Sequence, residues 1–127
     1  MKVDRKIIWG KFGERCAYCG EPLKNESGKY MQIDHVKAIH RHHKTGKARR
    51  PIHENIDNMY PSCPRCNNYK SSMSLETFRS QVKLALTRLE KIASYRNALR
   101  FGMIKLKKWD GVFWFEKYNK IYNSDSK

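Results

Sequence analysis

Cys16-Ala17-Tyr18-Cys19 and Cys63-Pro64-Arg65-Cys66 form two CxxC pairs, and Ile33-Asp34-His35-Val36 lies between them. A CxxC turn places two thiolates on one side of a tight knuckle, and two knuckles together make a closed tetrahedral Zn2+ site. Whatever lies between the pairs is therefore held at a fixed distance from the metal. What lies there is a carboxylate beside a histidine on a strand-like run, with asparagines following at Asn58 and Asn67. This is a candidate site for hydrolysing phosphate esters.

With 127 residues the chain is expected to form one domain, with room for a small appendage. So short a chain buries a modest core, and a structural zinc would supply much of its folding free energy. Disulfides are the competing use of four cysteines. The opening residues Met1-Lys2-Val3-Asp4-Arg5-Lys6 lead into no long apolar stretch. No segment approaches the roughly 20 apolar residues of a membrane span. A reducing, cytoplasmic location of a bacterial or phage type is the expectation, and there paired CxxC motifs are metal sites. Lys and Arg number 27 against 12 Asp and Glu, a net charge of +15. That excess attracts polyanions at long range. It is concentrated in His40-Arg41-His42-His43-Lys44-Thr45-Gly46-Lys47-Ala48-Arg49-Arg50, which we read as a phosphate-contacting loop rather than a merely solvated one.

Ile8, Trp9 and Phe12 recur at helical spacing, so Arg5 to Phe12 reads as a short helix ending near Gly13. Gly20 suits the tight turn after Cys19. Asn25 to Lys29 reads as a loop and Tyr30 to Val36 as a strand. His40 to Ile56 reads as a long surface loop, and Met59-Tyr60 as a short return strand. Pro64 fits the first turn of a helix from about Pro64 to Ser71. Beyond Ser74, the stripe Phe78, Val82, Ala85, Leu89, Ile92 and Leu99 predicts one long structural helix stopping at Gly102. Ile104 to Lys108 and Val112 to Glu116 flank Asp110-Gly111, which predicts a C-terminal β-hairpin. Its aromatics would pack on the long helix, with base stacking as the competing use. The expected divisions are a zinc-stabilised core over 1–73, a helix plus hairpin over 74–118, and a flexible tail over 119–127.

Phosphodiester hydrolysis needs a base for water, a cation to neutralise developing charge, and a fixed geometry. The imidazole of His35 has the intrinsic range for the first role. Asp34 offers a hard oxygen ligand for a divalent ion, and the carbonyl of Asn67 a second, positioned by Cys66 at the start of the helix. Neighbouring strand residues point to opposite faces. Asp34 and His35 can serve one phosphate only if the strand ends, bulges or kinks there, or if the substrate lies across its edge.

Taken together, Cys16-Ala17-Tyr18-Cys19-Gly20, Ile33-Asp34-His35-Val36 and Asn55 to Lys70 resemble the HNH endonuclease family in its four-cysteine, zinc-stabilised branch. The resemblance spans roughly residues 5 to 80, and Ser74 to Arg79 resembles the segment that often follows. It implies an α+β, ββα-metal (His-Me finger) fold, in which two antiparallel strands and a helix surround one divalent ion. By position it makes His35 the general base, Asp34 and Asn67 the ligands of that ion, and Asn58 the residue orienting the active-site loop and the histidine. Asn67 falls where the final His of the family name sits, a known variant. Cys16, Cys19, Cys63 and Cys66 match the structural zinc site, and Lys70 a basic residue able to contact DNA phosphate. The chain departs from the pattern after the Asp-His pair, with Lys37-Ala38-Ile39 and the basic run where many relatives carry proline and then Gly-Gly.

The reading is a metal-dependent endonuclease that nicks double-stranded DNA as a monomer or homodimer, using Mg2+ or Mn2+ beside a structural Zn2+. Lys44, Lys47, Arg49, Arg50 and Lys70 would contact phosphates. The alternative is a zinc-stabilised nucleic-acid-binding module without catalysis. The simultaneous presence of Asp34, His35, Asn58 and Asn67 favours the nuclease, because a pure binder has no need of that set.

Overall fold

The computed structural model describes residues 4–24, 31–37 and 55–123. The element order is α1 (Arg5–Trp9), β1 (Gln32–His35), a 3-10 turn (Ile56–Asn58), β2 (Met59–Ser62), α2 (Pro64–Lys70), α3 (Leu75–Lys83), α4 (Ala85–Leu89), α5 (Ala93–Arg100) and α6 (Trp114–Asn123). Among these, no helix is long and apolar enough to cross a membrane. The chain divides into two compact units, one built from residues 1–75 and 113–127 and the other from 76–112.

In the first unit, β1 and β2 pair antiparallel in the register Gln32↔Ser62, Ile33↔Pro61, Asp34↔Tyr60 and His35↔Met59. Pro61 lacks an N–H, which a two-stranded ribbon tolerates because each strand has an outer edge. Its carbonyl accepts the amide of Ala17 at 2.9 Å, so the first knuckle is bonded to β2. Helix α1 packs on β2 and α2 on β1. Asp4 caps α1 by accepting from the Lys6 amide at 2.9 Å, and Arg5 reaches the Met31 carbonyl at 2.6 Å, just ahead of β1. The core comprises Ile8, Phe12, Cys16, Ala17, Tyr18, Leu23, Met31, Met59, Cys63, Phe113 and Phe115. β1 and the Pro64 helix thus lie within the spans read from the sequence, while β2 runs two residues beyond the expected Met59-Tyr60, to Ser62.

Two expectations fail beyond residue 74. The predicted single long helix is three shorter ones. The amide of Leu84 bonds back to Gln81 in a tightened turn, and Ile92 is fully extended at φ −97 and ψ 119. The reason is burial. Of the apolar stripe, Leu89, Ile92 and Leu99 remain exposed, and Phe78 is the buried member. Without a continuous apolar partner, a long helix gains little from packing over its breaks. Gly102, at φ +72, does end α5.

The predicted C-terminal hairpin is also absent, because Trp114–Asn123 is a helix and residues 103–113 form no strand. Glu116 accepts the Phe113 amide at 2.9 Å and so satisfies an otherwise orphaned donor at the start of α6. The residues 119–123 expected in the tail belong to this helix. The consecutive aromatics at 113–115 are β-prone, but Phe113 and Phe115 enter the core. Phe115 lies 4.9 Å from Tyr60 and 5.8 Å from Phe12, and Phe113 lies edge-on to Tyr18 at 5.4 Å. The amides of Trp114 and Phe115 bond to the carbonyls of Tyr18 and Ala17 at 3.2 and 2.8 Å. The aromatics therefore pack on the first knuckle and on β2.

Candidate functional site

Each knuckle is closed by its own backbone. Gly20 donates to the Cys16 carbonyl at 3.0 Å with φ at +80, and a Cβ there would stand 3.3 Å from the Cβ of Trp114. Cys63 caps α2, its sulfur accepting the Cys66 amide at 3.3 Å. The four sulfurs lie within 4.8 Å of one another, with Cys19 and Cys63 at 3.9 Å. Zn–S bonds of ~2.3 Å in a tetrahedron require S···S separations of about 3.8 Å, so the cluster is already close to the size of a zinc site. Hydrogen bonds from Cys19 and Cys66 hold the Cys16 thiol well below its ordinary range, while the bond to Cys16 pushes Cys19 up to about 12 and bonds to Cys16 and Cys19 push Cys66 up. Thiols this close favour an ionised sulfur, which is the form zinc takes. The set is positioned to hold a structural zinc.

Asp34 lies directly behind this site. Its side chain is 4 % exposed, and Oδ2 accepts a hydrogen bond from the Tyr18 hydroxyl, inside the first knuckle, and the ammonium of Lys70 at 3.0 Å. Burial pushes the Asp34 carboxyl above its ordinary range, while the bonds from Tyr18 and Lys70 and a smaller pull from His35 act the other way. Burial and the neighbouring carboxylate also push the Tyr18 phenol up, keeping it a donor. Lys70 is completely buried and points to three oxygens, since Nζ also lies 3.4 and 3.3 Å from the carbonyls of His35 and Val36.

A second rung joins the same two elements. Asn67 donates from Nδ2 to Oε1 of Gln32 at 2.6 Å. Gln32 and Asp34 are two apart on β1 and so share a face, while Asn67 and Lys70 are three apart on α2 and so share a side. The two rungs lock the helix onto the strand. They also leave the Asn67 carbonyl as the atom available to a cation.

His35, the last residue of β1, falls on the opposite face from Asp34 by strand alternation. The backbone after it is held by Asn58. Asn58 Oδ1 accepts the Lys37 amide at 2.8 Å, Nδ2 donates to the Lys37 carbonyl at 2.9 Å, and the Asn58 carbonyl accepts the Val36 amide at 2.9 Å. Asn58 is itself fixed by Asn55, which caps the 3-10 turn, and Lys11 supports that turn through the carbonyls of Ile56 and Met59.

The structure thus groups Asp34 with Lys70 and the zinc knuckle, joins Asn67 to the same strand face, and sets His35 at the strand end beside Asn58. Lys70 is a correction. Expected on the phosphate surface, it is buried, with its charge balanced by Asp34. Lys44, Lys47, Arg49 and Arg50, with His40, His42 and His43, lie outside the described residues. Tyr18 and Gln32 were not anticipated. The only signal for Tyr18 is a hydroxyl-bearing ring inside a CxxC turn, and spacing does not say where such a ring points.

Residues 16–73 match the family model described as HNH endonuclease. No curated protein and no solved structure gives a match.

Proposed function

Starting from an HNH endonuclease domain over residues 16–73, we propose that the protein is a metal-dependent DNA endonuclease that nicks double-stranded DNA. The observation that carries the reading is the clamp of Asn58 on Lys37. A side chain that makes two hydrogen bonds to the backbone just past a histidine steadies the strand end from which that imidazole projects, which supports this reading. His35 is the general base. It takes a proton from a water that attacks phosphorus in line, as the bond to the leaving 3′ oxygen breaks. Asn58 is the positioning residue for His35. Asp34 and Asn67 are the ligands of the catalytic divalent ion, and their hard oxygens suit Mg2+ or Mn2+. That ion supplies charge neutralisation at the phosphate and leaving oxygen. Cys16, Cys19, Cys63 and Cys66 would hold a structural zinc that ties the two knuckles together, and Tyr18 and α2 connect those knuckles to the strand that carries Asp34. Lys44, Lys47, Arg49 and Arg50 contact DNA phosphates, which makes binding fall steeply with salt.

One observation favours the second reading, a zinc-stabilised nucleic-acid-binding module. The Asp34 oxygen that would take a metal already holds Tyr18 and Lys70. A metal titration separates the two. The nuclease holds a tight zinc and a second, weaker, exchangeable divalent ion that is lost in Asp34→Asn and weakened in Asn67→Ala. A protein that binds zinc alone and still retains DNA is the module.

A further inference from the structure

A fully buried lysine is costly unless its charge is balanced, and this one is surrounded by oxygen. Lys70 Nζ sits 3.0 Å from Asp34 Oδ2 and 3.3 and 3.4 Å from two backbone carbonyls at the end of β1. The carboxylate contact is the close one, and the carbonyl contacts are long for hydrogen bonds. The ammonium is therefore anchored by charge and is only loosely held by the backbone. One carboxylate and two carbonyls form the oxygen surroundings a hard cation prefers. Tyr18 holds the same carboxylate oxygen from the knuckle side, so the oxygen stays in place whatever happens to the lysine.

We infer that Lys70 is the resident counter-cation of Asp34, and that a divalent ion taking Oδ2 displaces the Lys70 ammonium from it. The inference rests on the proposed role of Asp34 as a metal ligand. It makes Lys70 a positioning residue with a defined effect. In the absence of the ion it keeps a buried carboxylate compensated and fixed. When the ion enters, it opposes it by like-charge repulsion. The divalent site is consequently weak and exchangeable by construction, while the all-sulfur zinc site nearby is untouched by the same competition.

The test is Mn2+ binding to the zinc-loaded 127-residue chain, read from the free Mn2+ resonance in electron paramagnetic spectra. Wild type is compared with Lys70→Met, which preserves the length of the chain and removes the charge, and with Asp34→Asn. Removing one positive charge a few ångströms from the ion should tighten Mn2+ binding by tenfold or more, on the order of what a partly screened charge pair contributes. A Lys70→Met affinity within twofold of wild type, or weaker, overturns the inference while leaving the nuclease reading intact, provided Asp34→Asn abolishes binding. Unchanged binding in Asp34→Asn overturns both. A second measurement follows the wild-type protein itself, with a variant used only for assignment. The Lys70 ammonium of the wild-type protein, assigned by its loss in Lys70→Arg, is followed by 15N NMR as Mg2+ is added. Its signal should shift or exchange away in step with Mg2+ binding. An ammonium signal unmoved at saturating Mg2+ overturns the displacement.

Discussion

The ion pair of Lys70 and Asp34 makes the sharpest stability prediction. Nζ and Oδ2 are 3.0 Å apart, with the side chains 0 % and 4 % exposed. At an effective dielectric of ~20 their attraction is on the order of 5 kcal/mol, against a desolvation cost of several kcal/mol per ion. The net worth of the pair against an apolar pair is therefore small. Removing only one partner is different, because it leaves a buried charge uncompensated, which costs about 3–5 kcal/mol. Lys70→Met should lower the unfolding free energy of the zinc-loaded protein by that amount, read by urea titration of the fluorescence of Trp9, Trp109 and Trp114. The double variant Lys70→Met with Asp34→Asn should recover most of the loss, since neither charge remains, and Tyr18 can still hydrogen-bond the amide. Exposed Lys24→Met should change stability by less than about 0.5 kcal/mol. A Lys70→Met loss below about 1 kcal/mol, or a double variant no more stable than the single, would refute the claim that the pair is buried and mutually compensating.

Other consequences concern different parts of the first unit. Tyr18 has its phenol pushed above the usual 10.0, first by burial and then by Asp34. A raised pKa in the folded state contributes stability below the unfolded value, and that stability is lost as pH rises past it. Absorbance at 295 nm should thus show a late-titrating tyrosine that disappears in Tyr18→Phe, and an alkaline loss of stability that is smaller in the same variant. Withdrawing zinc with a strong chelator should release one equivalent per chain and abolish the near-ultraviolet dichroism of the Phe12–Tyr60–Phe115 cluster, because the knuckle carries the bonds to α6. Cys63→Ser should do the same. Asn58→Ala should slow nicking by about 10²-fold through misplacement of His35, while DNA affinity stays within about twofold. An equal loss in affinity would show that Asn58 acts on binding.

The sequence made the central strand–strand–helix arrangement legible because its signals are local and chemical. Two CxxC turns, a proline at the first position of α2, and an asparagine ahead of a return strand each dictate geometry over a few residues. The C-terminal part was misread for the opposite reason. Val112 to Phe115 is a run of β-prone residues after an Asp-Gly, yet what decides its conformation is the long-range burial of Phe113 and Phe115 against Phe12, Tyr18 and Tyr60. Likewise, the 3.6-residue periodicity after Ser74 says that apolar residues share a side, not that anything covers them. Leu89, Ile92 and Leu99 stay exposed, and the helix breaks between them. Within the candidate site, Asp34, His35, Asn58 and Asn67 could be singled out by residue type and order. That Lys70 faces inward is harder to read, because its four-residue spacing puts it on the side of Cys66, yet a lysine is ordinarily a surface residue and nothing local names its buried partner. Only the position of Asp34 opposite Asn67 and Lys70, set by the register of β1, decides it.

The most direct test of the endonuclease reading is conversion of supercoiled plasmid in EDTA, Mg2+, Mn2+ and Ni2+, with wild type and His35→Ala compared at matched zinc content. Nicked circles that require an added divalent ion and are missing with His35→Ala are the expected result. Nicking that persists in His35→Ala, or plasmid that stays supercoiled under every metal while still being retained at low salt, would contradict it.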